Sequence, residues 1–101
     1  MDCIAMDIPI GCSGFVCGLH TMSTLLASST AKRGLLMVGD STSRYSAPLD
    51  KNRMLFGDAG AAIYVEKQKA SPLMRFALRN DGSRFRALMT PAGADRIVVG
   101  A

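Results

Sequence analysis

The feature that most constrains this chain is a change of hydrophobic rhythm around a short glycine-bearing turn at residues 11–14. Before the turn, Cys3-Ile4-Ala5-Met6 is an unbroken apolar run, the pattern of a strand covered on both faces. Asp7 interrupts it and Pro9 signals that pairing ends there, which places a strand over Cys3 to Ile10. After Gly11-Cys12-Ser13-Gly14 the rhythm becomes helical. Phe15, Leu19, Met22, Leu25 and Leu26 recur at three- and four-residue steps, predicting a helix from Ser13 to about Ser29. Gly14 and Gly18 cost about 1 kcal/mol each against Ala in a helix interior, so they imply another backbone packed close to that face.

Gly34 to Gly39 reads as a second buried strand, and two such strands joined by one helix predict a right-handed βαβ unit. Asp40 to Lys51 is polar and reads as a loop. Phe56-Gly57-Asp58-Ala59-Gly60 is a glycine-bearing turn, Ala61 to Glu66 a third strand, and Pro72 to Arg79 a fourth. Asn80-Asp81-Gly82-Ser83 is a strong turn signal, and the pattern from Arg84 onward is mixed. The fold class is therefore α/β, with a mixed sheet of about four to five strands and one main buried helix following the turn. One helix covers one sheet face only. The other layer must come from more chain or from a second copy, and the apolar finish Val98-Val99-Gly100-Ala101 has no polar closing cap.

With 49% hydrophobic and 20% charged residues, the 101-residue chain is a globular domain, or a piece of one, rather than a disordered segment. The net charge of +4 reads first as a slightly basic surface, with attraction to anionic partners as the alternative. Nucleic acid fits less well, because no basic run is longer than Lys32-Arg33 and no aromatics interleave with the basic residues. No segment reaches the roughly 18 apolar residues of a membrane span, and Met1-Asp2-Cys3 lacks the basic start of a signal peptide. The three cysteines, Cys3, Cys12 and Cys17, are odd in number, and the single histidine is His20. No metal-ligand spacing is present. A reducing, cytoplasmic setting follows better than a disulfide framework.

Cys12 has the chemically distinctive position. A helix N-terminus presents free N–H groups and about half a positive charge, which favours a thiolate nucleophile. The same groups can hold an oxyanion when a thioester carbonyl is attacked. The competing reading is a small cysteine packed under the turn. Asp58 and Asp40 read as turn and loop carboxylates, and the seven methionines as core filler.

The segment Asp7-Ile8-Pro9-Ile10-Gly11-Cys12-Ser13-Gly14-Phe15 resembles the active-site segment of the β-ketoacyl-acyl-carrier-protein synthase III family of thiolase-fold condensing enzymes. Leu35-Leu36-Met37-Val38-Gly39-Asp40 resembles the family's next core strand. Asp50-Lys51 and Leu55-Phe56-Gly57-Asp58-Ala59-Gly60-Ala61-Ala62 resemble its Asp-Arg and Phe-Gly-Asp-Gly-Ala-Gly-Ala segments, and Asn80-Asp81-Gly82-Ser83 with Leu88-Met89-Thr90-Pro91 its later turn and Leu-Pro stretch. The order and spacing are right along nearly the whole chain.

The resemblance implies a partial thiolase-like fold, with residues 1–101 a single partial domain from the middle of a synthase that lacks the C-terminal half. It implies that Cys12 takes an acyl group from acyl-coenzyme A and that its backbone N–H joins the oxyanion hole. The acyl-enzyme would then condense with malonyl-acyl-carrier protein and lose carbon dioxide, the first condensation of fatty acid synthesis. Phe56 would line the acyl pocket, with Leu88 or Met89 nearby. Lys51 would stand near the nucleotide end of coenzyme A, where the family often has arginine, keeping the charge but not the planar fork. Ala59 replaces a family glycine, which matters only if the backbone there needs a positive φ.

By the same resemblance the partners are acyl-coenzyme A, an acyl carrier protein and a second copy in a homodimer. Arg75, Arg79, Arg84 and Arg86 read first as a solvated edge, with a face toward an acidic carrier protein as the alternative. No separate cofactor is implied. The family's catalytic histidine and asparagine have no counterpart here. His20 lies eight residues beyond Cys12, about 12 Å along the helix, and reads as an ordinary helix-surface or packing residue, so the chain alone is expected not to condense. Two alternatives stay open: another thiolase-superfamily enzyme, such as a thiolase or polyketide-type synthase, and a non-catalytic module that dimerises through its sheet.

Overall fold

The computed structural model describes residues 3–89. Thr90, Pro91 and the apolar run at residues 98–101 lie outside them. Among the described residues there are one α-helix, α1 (Gly14–Ser28), and two strands, β1 (Arg33–Asp40) and β2 (Ala59–Glu66). Single 3-10 turns occur at Thr42–Arg44, Lys51–Met54 and Phe85–Ala87.

The helix forms despite a sequence rich in hydroxyls, because those hydroxyls bond back into it. Thr21, Ser23, Thr24 and Ser28 donate to the carbonyls of Cys17, Leu19, His20 and Thr24 at 2.7–2.9 Å, which removes their competition for other backbone groups. Ser29 closes the last turn with both its N–H and its hydroxyl on the Leu25 carbonyl.

The strands β1 and β2 pair antiparallel, with Gly34 opposite Val65, Leu36 opposite Ile63 and Asp40 opposite Ala59. Strict alternation along β1 gives the sheet two unlike faces. Gly34, Leu36 and Val38 are half-buried on one face, with Ile63 and Val65 beside them. α1 packs there: a Cβ on Gly18 would come within 2.8 Å of Leu36 Cδ1, and a Cβ on Gly34 would collide with the Met22 side chain. Leu26, 6% exposed, is the buried hydrophobic of this contact among the described residues. The opposite face carries Leu35, Met37 and Tyr64, all more than half exposed.

Several expectations are corrected. The sheet has two strands among the described residues, both antiparallel, rather than four to five in a mixed arrangement, and no βαβ unit is formed. Residues 3–10 join no ladder. The Ile10 N–H turns back onto the Ile8 carbonyl at 2.8 Å, and Pro9 has no N–H to give, so the chain leaves an extended course at the point where pairing would continue. Residues 72–79 are not a strand either. Pro72 removes a donor, and the segment instead lies on α1, with Met74 Sδ 3.7 Å from Ser23 Oγ and the Phe76 ring edge-on to His20 at 5.0 Å.

The helix is less buried than a central helix: only Gly18 and Leu26 are buried along it. The close neighbour of Gly18 is a leucine side chain rather than a backbone, and Gly14 has nothing within 4 Å. Ala59 sits in the regular β2 ladder, where alanine is as acceptable as glycine.

Candidate active site

Cys12 occupies the turn between residues 3–10 and α1. The turn is closed by the Gly14 N–H on the Gly11 carbonyl at 2.8 Å, and α1 is entered by the Cys17 N–H on the Ser13 carbonyl at 3.0 Å. Cys12 is exposed, which rules out the reading of a cysteine packed beneath the turn. Ser13, the N-cap residue, makes no side-chain cap hydrogen bond, and no acidic residue stands in the first turn of α1. The positive end of the 15-residue helix is therefore neutralised neither by its own cap nor by a first-turn carboxylate.

Beside the turn lies a cleft of about 450 Å³. Residues 6–11 with Gly14 and Phe15 form one wall, and residues 35–39 of β1 form the other. This is the gap left where residues 3–10 run next to β1 without pairing. Gly11 and Gly14, on either side of Cys12, both line it. Cys12 itself is not among the residues that line the cleft, whose walls are mixed polar and apolar; its exposed thiol stands at a helix N-terminus between two glycines that do line it, where it can attack a carbonyl carbon presented beside the turn. Among the described residues no group of three or more His, Cys, Asp or Glu side chains could hold a metal ion.

The other predicted site residues are placed separately. Lys51 is exposed in the 3-10 turn Lys51–Met54. Phe56 is 52% exposed just before β2, and Leu88 is 84% and Met89 39% exposed near the end of the described residues. None of the four lines the cleft beside Cys12. His20 is held by Phe76 on the flank of α1, as a packing residue would be.

Asp58 has a structural task that ties the loop carrying Lys51 and Phe56. Its carboxylate accepts from the Ser43 N–H at 2.9 Å and from the Ser43 hydroxyl. Those two hydrogen bonds, the hydroxyl's first, hold the Asp58 carboxyl below its ordinary value. The -Gly-Asp- signal was legible in the sequence, but the partner, Ser43, was not. The cleft wall on β1 was likewise missed, since a buried strand gives no sign of which edge stays open.

The family model described as 3-oxoacyl-[acyl-carrier-protein (ACP)] synthase III matches residues 6–82. Beta-ketoacyl-[acyl-carrier-protein] synthase III of Pseudomonas aeruginosa is 36% identical over 93 residues, covering 88% of this chain and 28% of that protein. The protein of the same name from Streptococcus suis is 35% identical over 94% of this chain and 29% of its own length. That from Gloeobacter violaceus is 32% identical over 97% of this chain and 30% of its own. The chain thus spans less than a third of the curated relatives it matches. No solved structure matches it.

Proposed function

Because the chain belongs to the 3-oxoacyl-[acyl-carrier-protein] synthase III family, matching its model over residues 6–82, we propose that it carries the acyl-accepting centre of a condensing enzyme that starts fatty acid chains. The observation that carries this reading is the exposed Cys12 at the uncapped N-terminus of α1, beside the cleft between residues 6–11 and β1.

The Cys12 thiolate attacks the thioester carbonyl of acyl-coenzyme A. The Cys12 backbone N–H helps hold the tetrahedral oxyanion. Collapse of that intermediate expels the coenzyme A thiolate and leaves the acyl group on Cys12 Sγ. Malonyl-acyl-carrier protein then loses carbon dioxide, and the resulting carbanion attacks the acyl thioester, freeing Cys12. Lys51 faces the phosphates of coenzyme A as a point charge. Phe56 and Leu88, with Met89, close the acyl pocket once the longer protein brings them to the cleft. The substrates are acyl-coenzyme A and malonyl-acyl-carrier protein, with no separate cofactor.

The working protein is a cytoplasmic homodimer in this reading. Ile4, Met6 and Ile10, all at least 45% exposed on the unpaired segment before Cys12, support a contact between copies there. The free thiols of Cys3, Cys12 and Cys17 suit a reducing compartment.

The test is to mix the chain with acyl-coenzyme A and follow the acyl adduct by mass spectrometry with peptide mapping. The expected result is an adduct on Cys12 that is lost in Cys12→Ala and kept in Cys3→Ala and Cys17→Ala. An adduct that persists in Cys12→Ala would overturn the assignment.

A further inference from the structure

The loop between β1 and β2 is drawn shut at its neck. β1 ends with Asp40 opposite Ala59. The two backbones run so close there that a Cβ on Gly39 would stand 3.0 Å from the Ala59 carbonyl oxygen. Just beyond the ladder, Asp58 holds Ser43 at two points: one carboxylate oxygen accepts its N–H at 2.9 Å and the other its hydroxyl. Two charge-assisted hydrogen bonds to one residue fix its orientation as well as its distance.

Backbone turns carry this clamp on to Lys51. The Arg44 and Tyr45 N–H groups return to the Ser41 and Thr42 carbonyls at 3.0 and 3.1 Å, and Ser46 donates to the Thr42 carbonyl with both its N–H and its hydroxyl. The Asp50 N–H on the Ala47 carbonyl at 3.0 Å closes the next turn. Pro48 is its second residue, where a ring-fixed φ suits a turn. The Arg53 N–H on the Asp50 carbonyl, also at 3.0 Å, closes the third turn, which holds Lys51. Residues 41–53 are thus consecutive hydrogen-bonded turns, tied to the sheet where Asp58 meets Ser43. A loop held at its neck and presenting an exposed cation is a form in which a rigid scaffold carries a binding residue.

We infer that Asp58, through Ser43, is a positioning residue for acyl-coenzyme A: it holds the loop so that Lys51 meets the phosphates of the nucleotide end. The inference rests on the proposed function, from which the place of Lys51 at the phosphates is taken. Asp58 has both oxygens on Ser43 and acts through the loop. A lysine gives up rotamer freedom when it meets a phosphate, and a backbone already fixed beneath it removes the further cost of ordering the loop. Breaking the clamp therefore weakens substrates that carry the nucleotide and spares those that lack it.

The experiment labels Cys12 of the 101-residue chain with acetyl-coenzyme A and with acetyl-pantetheine, which ends before the phosphates. Half-saturating concentration and maximal rate are measured for each. Asp58→Asn should raise the half-saturating acetyl-coenzyme A by about three- to fivefold, the range of an exposed charge contact, at an unchanged maximal rate. With acetyl-pantetheine it should change neither quantity. Ser43→Thr, which keeps an N–H and a hydroxyl, should behave as the parent chain. Asp81→Asn, which weakens the Asp81–Ser83 turn outside the loop, should leave both substrates unaffected. Lys51→Ala should reproduce the Asp58→Asn effect, and the double variant should add little to either, because a residue that acts through another is not additive with it. Hydrogen exchange should quicken at residues 44–53 of Asp58→Asn and not in α1.

Equal loss on both substrates would make Asp58 a support of the fold only, and an additive double variant would mean that it does not act through Lys51. Either overturns the inference, as does an unchanged response to acetyl-coenzyme A in Asp58→Asn. The comparison is repeated with desulfo-coenzyme A, which cannot react with Cys12, by following loop amide shifts. Weaker binding there in Asp58→Asn, with no labelling of Cys12 in the parent chain, sinks the acyl-accepting assignment alone. Labelling of Cys12 to which the clamp makes no difference sinks the positioning inference alone, and so does a parent chain that does not bind desulfo-coenzyme A.

Discussion

At the scale of single residues, Asp58 shows how a modest signal resolves once its partner is known. In the sequence it is an acid after a glycine, read as a turn carboxylate. In the fold it receives two hydrogen bonds from Ser43, across the loop that joins β1 to β2. Both favour the ionised form, so its titration point is held below the ordinary carboxylate value. The sign follows: the group's contribution is fully present above its unfolded value and is lost as the pH falls through the lower folded one. A carbon-detected NMR titration should place the Asp58 midpoint below that of an ordinary aspartate, and Ser43→Ala should move it back up. A midpoint unchanged by Ser43→Ala would show that the two hydrogen bonds do not set it. Cys12 was legible as a candidate nucleophile from its place between a strand-like run and a helical rhythm. Its exposure was not, because burial depends on what packs over the turn.

At the scale of elements, α1 was read from its periodicity to within a residue at each end. Its interior apolar residues face a partner whose identity periodicity cannot give. That partner is the Leu36 and Gly34 side of β1, and Leu26 is the residue most fully enclosed by it. Leu26→Ala should therefore cost about 2–4 kcal/mol by lost burial and a residual cavity. Leu25→Ala, one position round the helix and 36% exposed, should cost less than about 1 kcal/mol. Urea midpoints of the two variants measure the difference, and equal shifts would mean that α1 does not dock by this face. The two strands found were the two whose apolar runs are uninterrupted by proline. The two that failed, residues 3–10 and 72–79, both contain one. A strand is also a relation between two segments, and an apolar run specifies only one of them.

At the scale of the whole molecule, the sheet has one face under α1 and the other open, with Leu35 60% and Met37 74% exposed. The chain matches less than a third of the length of its relatives. By family resemblance, a condensing enzyme also needs a histidine and an asparagine to decarboxylate the malonyl group. The chain has one histidine, and it is packed against Phe76. Incubation of the chain with acyl-coenzyme A and malonyl-acyl-carrier protein should therefore give no β-ketoacyl product, even where Cys12 is acylated; product by mass spectrometry would contradict this. What the sequence by itself determined were the local decisions: the helix, the two uninterrupted strands, the turn that holds Cys12 and the family motifs around it. Each depends on residues within a few positions of one another, through backbone propensity and hydrophobic period. Only the tertiary structure decided which segments pair, which face of β1 is covered, that a cleft opens beside Cys12, and that Asp58 answers to Ser43. Those depend on contacts between residues far apart in the chain, which no local pattern encodes.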